Sequence, residues 1–340
     1  MVAVVGVLAG CASTPTTKGS GPDRLQVVNI SGGGTQLIFF PSVVANDEGF
    51  FKREGVLAQL TTVQAGSTDM AALLGGDVQM VLASTDTFLG AVAQGAKLVA
   101  VDSDVGMTED VCASTSYMAA HGVTPRSTVQ EKMAAFKGAT LGATGAGGTS
   151  SYNLLAFMLE KYGHLNPHSQ VNLVSVGSAT AQVAGLENGS IQGFMISPPG
   201  CQEVAATGKG EVLVTPADVA VWKGYIHEVL FTTSSYARAH PKVVAAVAKA
   251  YALAQNFMVT NTAITERLIY ANYLGVPHSL LNSAFTEDIV PEVSKSGLMT
   301  EAEWAHTIAV EKELGTLPVS ASISSAAGGI WSDTYLKSGG

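Results

Sequence analysis

The sequence predicts an α/β fold of two similar lobes, each a mostly parallel sheet flanked by helices. Three observations predict it. Short apolar runs alternate with helical stretches from residue 25 onward. The 340 residues exceed one ordinary core and suit two lobes of about 100–200 residues each. A segment also recurs: Gly76-Asp77-Val78-Gln79-Met80-Val81-Leu82-Ala83-Ser84 is echoed by Gly189-Ser190-Ile191-Gln192-Gly193-Phe194-Met195-Ile196-Ser197. Gly76 and Gly189, Ser84 and Ser197, and the later Gly95 and Gly208 are each 113 residues apart. An apolar strand, a terminal Ser, a helix of matched length and a closing Gly argue for duplication.

In the first half the pattern predicts strands over 25–30, 57–63, 78–82 and 97–101, with helices over 37–47, 68–75 and 85–94. In the second it predicts strands over 111–118, 139–143, 171–176, 191–196 and 211–214, with helices over 127–135, 150–162, 179–187 and 201–208. Two such lobes set their strand C-termini opposite each other. Open α/β sheets bind ligands at that edge, so the cleft between the lobes is the expected site.

Charged residues are 13% and hydrophobic ones 47%, the composition of a packed chain rather than a disordered one. After the N-terminus no apolar run reaches the ~18 residues a membrane span needs. The longest candidate, 243–259, contains Lys249, Gln255 and Asn256. Its apolar positions Val243, Val247, Tyr251, Ala254 and Met258 follow helical spacing, which predicts an amphipathic helix. A net charge of −9 without a basic patch excludes nucleic acid as a partner.

The N-terminus reads as an address. An apolar run over 1–10 ends in Leu8-Ala9-Gly10-Cys11, which resembles the lipobox of bacterial lipoproteins. That resemblance implies a signal peptide over 1–10 and acylation of Cys11. Residues 11–23 then form a Ser/Thr/Gly/Pro tether between lipid and domain. No Lys or Arg precedes the apolar run.

A family resemblance follows. Ala45-Asn46-Asp47-Glu48-Gly49-Phe50-Phe51-Lys52-Arg53-Glu54-Gly55-Val56, then Gly66, then Ala72-Leu73-Leu74-Gly75-Gly76-Asp77-Val78 and Gly95-Ala96-Lys97-Leu98-Val99-Ala100 stand in order. Phe136-Lys137-Gly138-Ala139-Thr140-Leu141-Gly142, Phe231-Thr232-Thr233-Ser234 and His240-Pro241 continue the pattern. Over roughly 25–275 the chain resembles the sulfonate/nitrate/taurine and thiamine-precursor binding proteins of ABC importers. The resemblance implies a type II periplasmic-binding-protein-like fold. It places one lobe at 24–105 plus 227–340 and the other at 111–222, with hinges at 105–111 and 222–228. It also implies a strand over 111–118 antiparallel beside 191–196, with Cys112 level with Ser197. On that topology Cys112 and Cys201 are expected to pair, outside the cytoplasm where oxidation is permitted.

The candidate ligand contacts lie at strand ends and helix starts. Gly142-Ala143-Thr144-Gly145-Ala146-Gly147-Gly148 precedes a helix, but Ser150 stands where a dinucleotide fingerprint needs its third Gly. No acid lies between Glu160 and Glu187, so the nicotinamide reading fails. Thr149 and Ser150 instead open a helix whose free N–H groups and hydroxyls can hold ligand acceptors. Thr35 and Gln36 follow the first strand, and Ser84-Thr85-Asp86 closes another; Ser197 is the counterpart of Ser84. Of the aromatics near the expected cleft, Phe39, Phe88 and Trp222 read as core, while Phe40 and Tyr152 could stack on a planar ligand. His227 and Glu228 lie at the second crossing. His164 and His168 are four apart, but Pro167 breaks the helix that would align them on a metal.

These features predict a receptor, not an enzyme: no G-x-S-x-G elbow, no phosphate-binding loop, no cofactor, no metal. Expected partners are a small polar solute, an ABC transporter permease and, through the lipid, the membrane; the receptor itself is expected to be monomeric. The alternatives are an enzyme resembling the thiamine-pyrimidine synthases of yeast, or a ligand-sensing ectodomain. Arg24, Arg53, Arg126, Arg238 and Arg267 fall away from the cleft loops, so no guanidinium clamp for a sulfonate or carboxylate is expected.

Overall fold

The computed structural model describes residues 25–34, 36–62, 66–145 and 149–337. Two five-stranded sheets form the framework. The first has the order β2-β1-β3-β10-β4, from β1 (Gln26–Gly33), β2 (Val56–Thr62), β3 (Met80–Ser84), β4 (Leu98–Gly106) and β10 (Ile226–Thr233). The second has the order β7-β6-β8-β5-β9, from β5 (Asp110–Ser114), β6 (Thr140–Ala143), β7 (Asn172–Ser175), β8 (Gly193–Ile196) and β9 (Gly210–Val214). In each sheet one strand, β10 or β5, runs antiparallel to both neighbours, and the other pairings are parallel. Helices cover both sheets, giving the two-lobed α/β fold the sequence predicts.

The duplication is visible atom by atom. Gln79 Nε2 donates to the Gly76 carbonyl at 3.3 Å, and its Oε1 accepts from the Asn29 amide at 2.9 Å. Gln192 repeats this with Gly189 at 3.1 Å and the Thr140 amide at 2.9 Å. Gly76 and Gly189 both take positive φ, 88° and 81°, a region where an added Cβ is strained. The identical Gln and Gly positions therefore lock β3 to β1 and β8 to β6 by the same device.

Chain continuity between the sheets runs through 107–109 and again through 215–225. The Glu301–Glu313 helix spans both lobes. Trp304 packs with the first-lobe residues Phe88 and Phe231, whereas Val310 joins the second-lobe core of Met107, Leu155 and Trp222. Lys161 of the second lobe pairs with Glu313. The Pro241–Thr260 helix, long and apolar enough for a span, instead buries Val247, Tyr251, Ala254 and Met258 against the first sheet. Its buried face begins at Val244 rather than Val243, which is half-buried.

Several local expectations need correction. The strand expected over 111–118 stops at Ser114, and Thr115–Ala120 is helical. Ser114 Oγ accepts from the Tyr117 amide at 3.4 Å, so it caps the helix and ends the strand. β4 continues to Gly106, five residues past the expected end at 101. β10 is a full central strand, where the sequence suggested a crossing. Cys112 lies opposite Phe194 rather than level with Ser197. The disulfide joins Cys112 to Cys201 across a Cα separation of 5.2 Å, inside the range a bond can span.

Candidate functional site

The sheets face each other along their strand C-termini, and the groups between them come from both lobes. In the first lobe β3 ends at Ser84, whose Oγ donates to Asp86 Oδ1. The Thr87 amide donates to the same oxygen at 2.7 Å, so Asp86 sits on the first turn of the Thr85–Ala93 helix where its charge suits the dipole. Thr85 turns inward: its Oγ1 donates to the Ile226 carbonyl at 2.7 Å and lies 3.3 Å from Glu311 Oε1. Glu228 stands opposite Ser84 in the β3–β10 register. On the neighbouring Gly66–Gly75 helix, Asp69 accepts from Ser31 Oγ at the end of β1.

The second lobe contributes the Ser150–Lys161 helix. Thr149 is its N-cap residue and leans over Gly145, where a methyl would meet Thr149 Cγ2 at 2.4 Å. Ser150 Oγ reaches across to His227 Nε2 at 3.3 Å. Asn153 hydrogen-bonds Asp86 from the same helix. At the opposite margin the Leu37 amide donates to the Pro198 carbonyl at 2.7 Å. The lobes are thus in contact around the site, with side chains of one reaching side chains of the other.

Of the sequence-predicted residues, the structure gathers Ser84, Asp86, Ser150, His227 and Glu228. Thr85 is buried beneath them. Tyr152 is half-buried on the first turn of its helix. Ser197 is fully buried and shares a hydrogen bond with Thr108 at 3.0 Å, so it pins the first crossing between the sheets. Gln36 and Phe40 lie apart, lining a cavity of about 280 Å³ with Pro199, Glu203 and Tyr273 at the margin between lobes. Phe40 is otherwise a core residue, tilted on Tyr273 at 6.3 Å between centroids. Phe88 and Trp222 are core, as the sequence suggests. Thr35 and Cys11 lie outside the described residues.

Sequence reasoning missed Asp69, Asp104, Glu109 and Asn153. One signal was readable. Asp102, Asp104, Glu109 and Asp110 fall within a single apolar-flanked run that has no Lys or Arg. Asp69, Asp86, Asp104 and Glu109 act together on Glu228, and this makes the electrostatics of the site unusual. Burial raises Asp69 to about 6 despite its bond to Ser31, Asp104 to about 7, and Glu109 to about 8 with help from the Asp86 charge. Glu228 is held well above the carboxylate range by burial, then by the carboxylates of Asp104, Asp86, Glu109 and Asp69. Burial drives His227 the other way, to about 3. At neutral pH His227 is therefore uncharged and Glu109 largely protonated. Their 3.8 Å contact is not an ion pair.

This chemistry suits binding and does not suit acyl transfer. Ser150 and Glu109 both approach Nε2 of His227, while Nδ1 has no partner. A nucleophile–base–acid relay needs the carboxylate on the nitrogen opposite the nucleophile, and a base with a pKa near the working pH. Among the described residues no three His, Cys, Asp or Glu side chains converge on a metal position.

The stability of the protein should carry the signature of these acids. A carboxyl raised in the folded state binds more protons folded than unfolded, so its stabilisation falls as pH rises from about 4 to about 8. His227 has the opposite sign: its contribution is lost as pH falls from about 6.5 towards 3. The carboxyls outnumber it. The melting temperature of the solute-free protein is therefore expected to drop by several degrees between about pH 5 and about pH 8. A flat or rising profile over that interval would show that these groups are not buried as described.

The paired sheets and the inter-lobe site define the class: a two-lobed fold of the periplasmic-binding-protein kind. The chain belongs to the NMT1-like family, whose model matches residues 35–270. It is 28% identical over 235 residues to the bicarbonate transport ATP-binding protein CmpC of Synechocystis, covering 66% of this chain and 34% of that protein. The chain thus spans about a third of that curated relative. Among solved structures it is similar to a protein of Bordetella bronchiseptica RB50, at TM-score 0.73, 21% identity, and coverage of 92% and 96% of the two chains. The alkanesulfonate-binding protein SsuA of Xanthomonas axonopodis pv. citri, bound to MOPS, gives TM-score 0.64, 18% identity, and coverage of 88% and 96%. The desulfurization enzyme DSZB shares the fold at TM-score 0.57 and 14% identity, covering 87% of this chain and 94% of that one.

Proposed function

We propose that this chain is the extracytoplasmic solute receptor of an ABC importer. It binds one small organic solute between its lobes and delivers it to a permease without changing it. The observation that carries this reading is the meeting of Ser150 and Asn153 of one lobe with His227 and Asp86 of the other, in a geometry that lacks a nucleophile–base relay. The sulfonate-binding neighbour and the transport-related relative support it. The lobes close by hinge motion at 105–111 and 222–228. Cys11, outside the described residues, anchors the receptor to the membrane through a lipid. Mass spectrometry of the native protein is expected to find a diacylglyceryl group on an N-terminal Cys11; a mature chain that begins elsewhere and carries no lipid removes the anchor from the proposal.

A thermal-shift screen of sulfonates, amines, pyrimidines and aromatic acids tests the receptor reading itself. A true solute at about 100 times its Kd stabilises by about 2.7 kcal/mol, an easily read shift. The expected result is saturable one-to-one binding with the solute recovered intact. Conversion of the bound compound to product would instead place the chain with the enzymes that share the fold.

A further inference from the structure

Resting on the receptor reading, we propose that the solute is an organic cation, bearing a protonated amine, amidine or guanidinium whose N–H groups meet Glu228, Asp86 and Glu109. Geometry carries this. Glu228 lies in the row of β10 paired with Ser84, where β3 ends, and Asp86 follows two residues on. Glu228 is only 5% exposed and Glu109 8%. Glu228 Oε2 and Glu109 Oε2 are buried without a hydrogen-bond partner. A buried acceptor left unpaired is costly, and buried polar groups are nearly always satisfied. Two such oxygens beside one inter-lobe site can be met by donors on a bound solute.

The chain does not supply the charge. Among the described residues the ion pairs are Lys161 with Glu313 and Lys337 with Asp333, and the His227–Glu109 contact is neutral. None brings Lys or Arg to the cluster. The charges that act on Glu228 come from Asp104, Asp86, Glu109 and Asp69, all acids. An anion entering here could bind only while these acids stay protonated, and a sulfonate would find no guanidinium. A metal ion would need several converging oxygens, which the described residues do not offer. An organic cation supplies both the positive charge and directed donors.

Proton linkage gives the proposal a signature of its own. The acids around Glu228 are held partly protonated, so a bound cation drives their ionisation and releases protons. Affinity for a cation should then climb from about pH 6 to about pH 8, whereas an anion should bind more weakly over the same interval.

Titration calorimetry on the full chain decides the matter, using benzylamine, benzamidine, agmatine and putrescine against benzoate, benzenesulfonate, nitrate, bicarbonate and benzyl alcohol. The expected result is one-to-one binding of at least one cation, tighter at the higher pH. Glu228→Gln should weaken that binding about ten- to a hundredfold, the effect of removing one charge-assisted bond. Because Gln is isosteric with protonated Glu, its melting temperature should match or exceed that of the wild type. Asp86→Asn should weaken the same cation and guards against a folding failure of the first variant. Binding confined to anions or neutral probes overturns the cation proposal and leaves the receptor intact. So does a cation whose affinity ignores both substitutions. Turnover of a bound cation overturns the receptor reading and leaves the cation site. Failure of every charge class to bind counts against both.

Discussion

Replacing Cys112 and Cys201 by Ser together is expected to cost about 3–5 kcal/mol of stability. The bond closes a loop between residues 89 apart, so its removal returns a large conformational freedom to the unfolded chain. Both cysteines are fully buried, in a small cluster with Phe194, Ile196 and Val204 that seats the Gly200–Ala206 helix on β5 and β8. The loss should therefore fall on the second lobe. Calorimetry should resolve an earlier melting step, displaced by on the order of 10 °C, in the double variant and in the reduced wild type. Coincident melts for oxidised and reduced protein would show that the bond does not form in solution or does not constrain the lobe.

Phe88→Ala should be nearly as damaging, at about 3–5 kcal/mol. Phe88 is fully buried under the Thr85–Ala93 helix, with its ring 5.1 Å from that of Phe231 and 5.8 Å from that of Trp304. Truncation leaves a space between the rings of Phe231 and Trp304, which lie on different elements, and little can collapse into it. The consequence extends to the site, because the first turn of this helix presents Asp86. Solute affinity should fall together with melting temperature, although residue 88 touches no ligand. Phe88→Leu keeps most of the volume and should recover most of both. If Phe88→Ala melts early yet binds solute as the wild type does, Asp86 is not part of the site.

Much of the architecture was legible because it follows from local pattern. The helices over 85–93 and 179–187 and the strands β6, β7 and β9 obey simple periodicity, and the repeat at Gly76 and Gly189 announced two lobes. β10 was harder to place. Ile226–Thr233 is buried on both faces, and it pairs with β3 and β4, more than 100 residues earlier in the chain. Nothing local distinguishes such a strand from a connecting segment. Ser114 was misread for the opposite reason: a cap outweighed the strand-favouring residues behind it.

The candidate site divides in the same way. Ser84, Asp86 and Ser150 were readable because strand ends and helix starts in this architecture face the cleft. His227 and Glu228 were readable from their place at the second crossing. Ser197 had the same credentials as Ser84, but Thr108 arrives from the first crossing and takes its hydroxyl. Asp69 and Glu109 join the site only through tertiary approach, one from the first turn of the Gly66–Gly75 helix and one from the link between β4 and β5. The unpaired acids between Asp102 and Asp110 were the one trace of that approach in the sequence, and their meaning depends on where the chain folds them.

The account rests on one solute held between the lobes, against Glu228, Asp86 and the start of the Ser150–Lys161 helix. A crystal structure grown with the tightest-binding probe tests it most directly. The expected result is density enclosed between the β3–β10 edge and that helix, with Glu228 within hydrogen-bonding distance. Density instead in the cavity of about 280 Å³ beside Gln36 and Phe40, or on the outer face of either lobe, would contradict it.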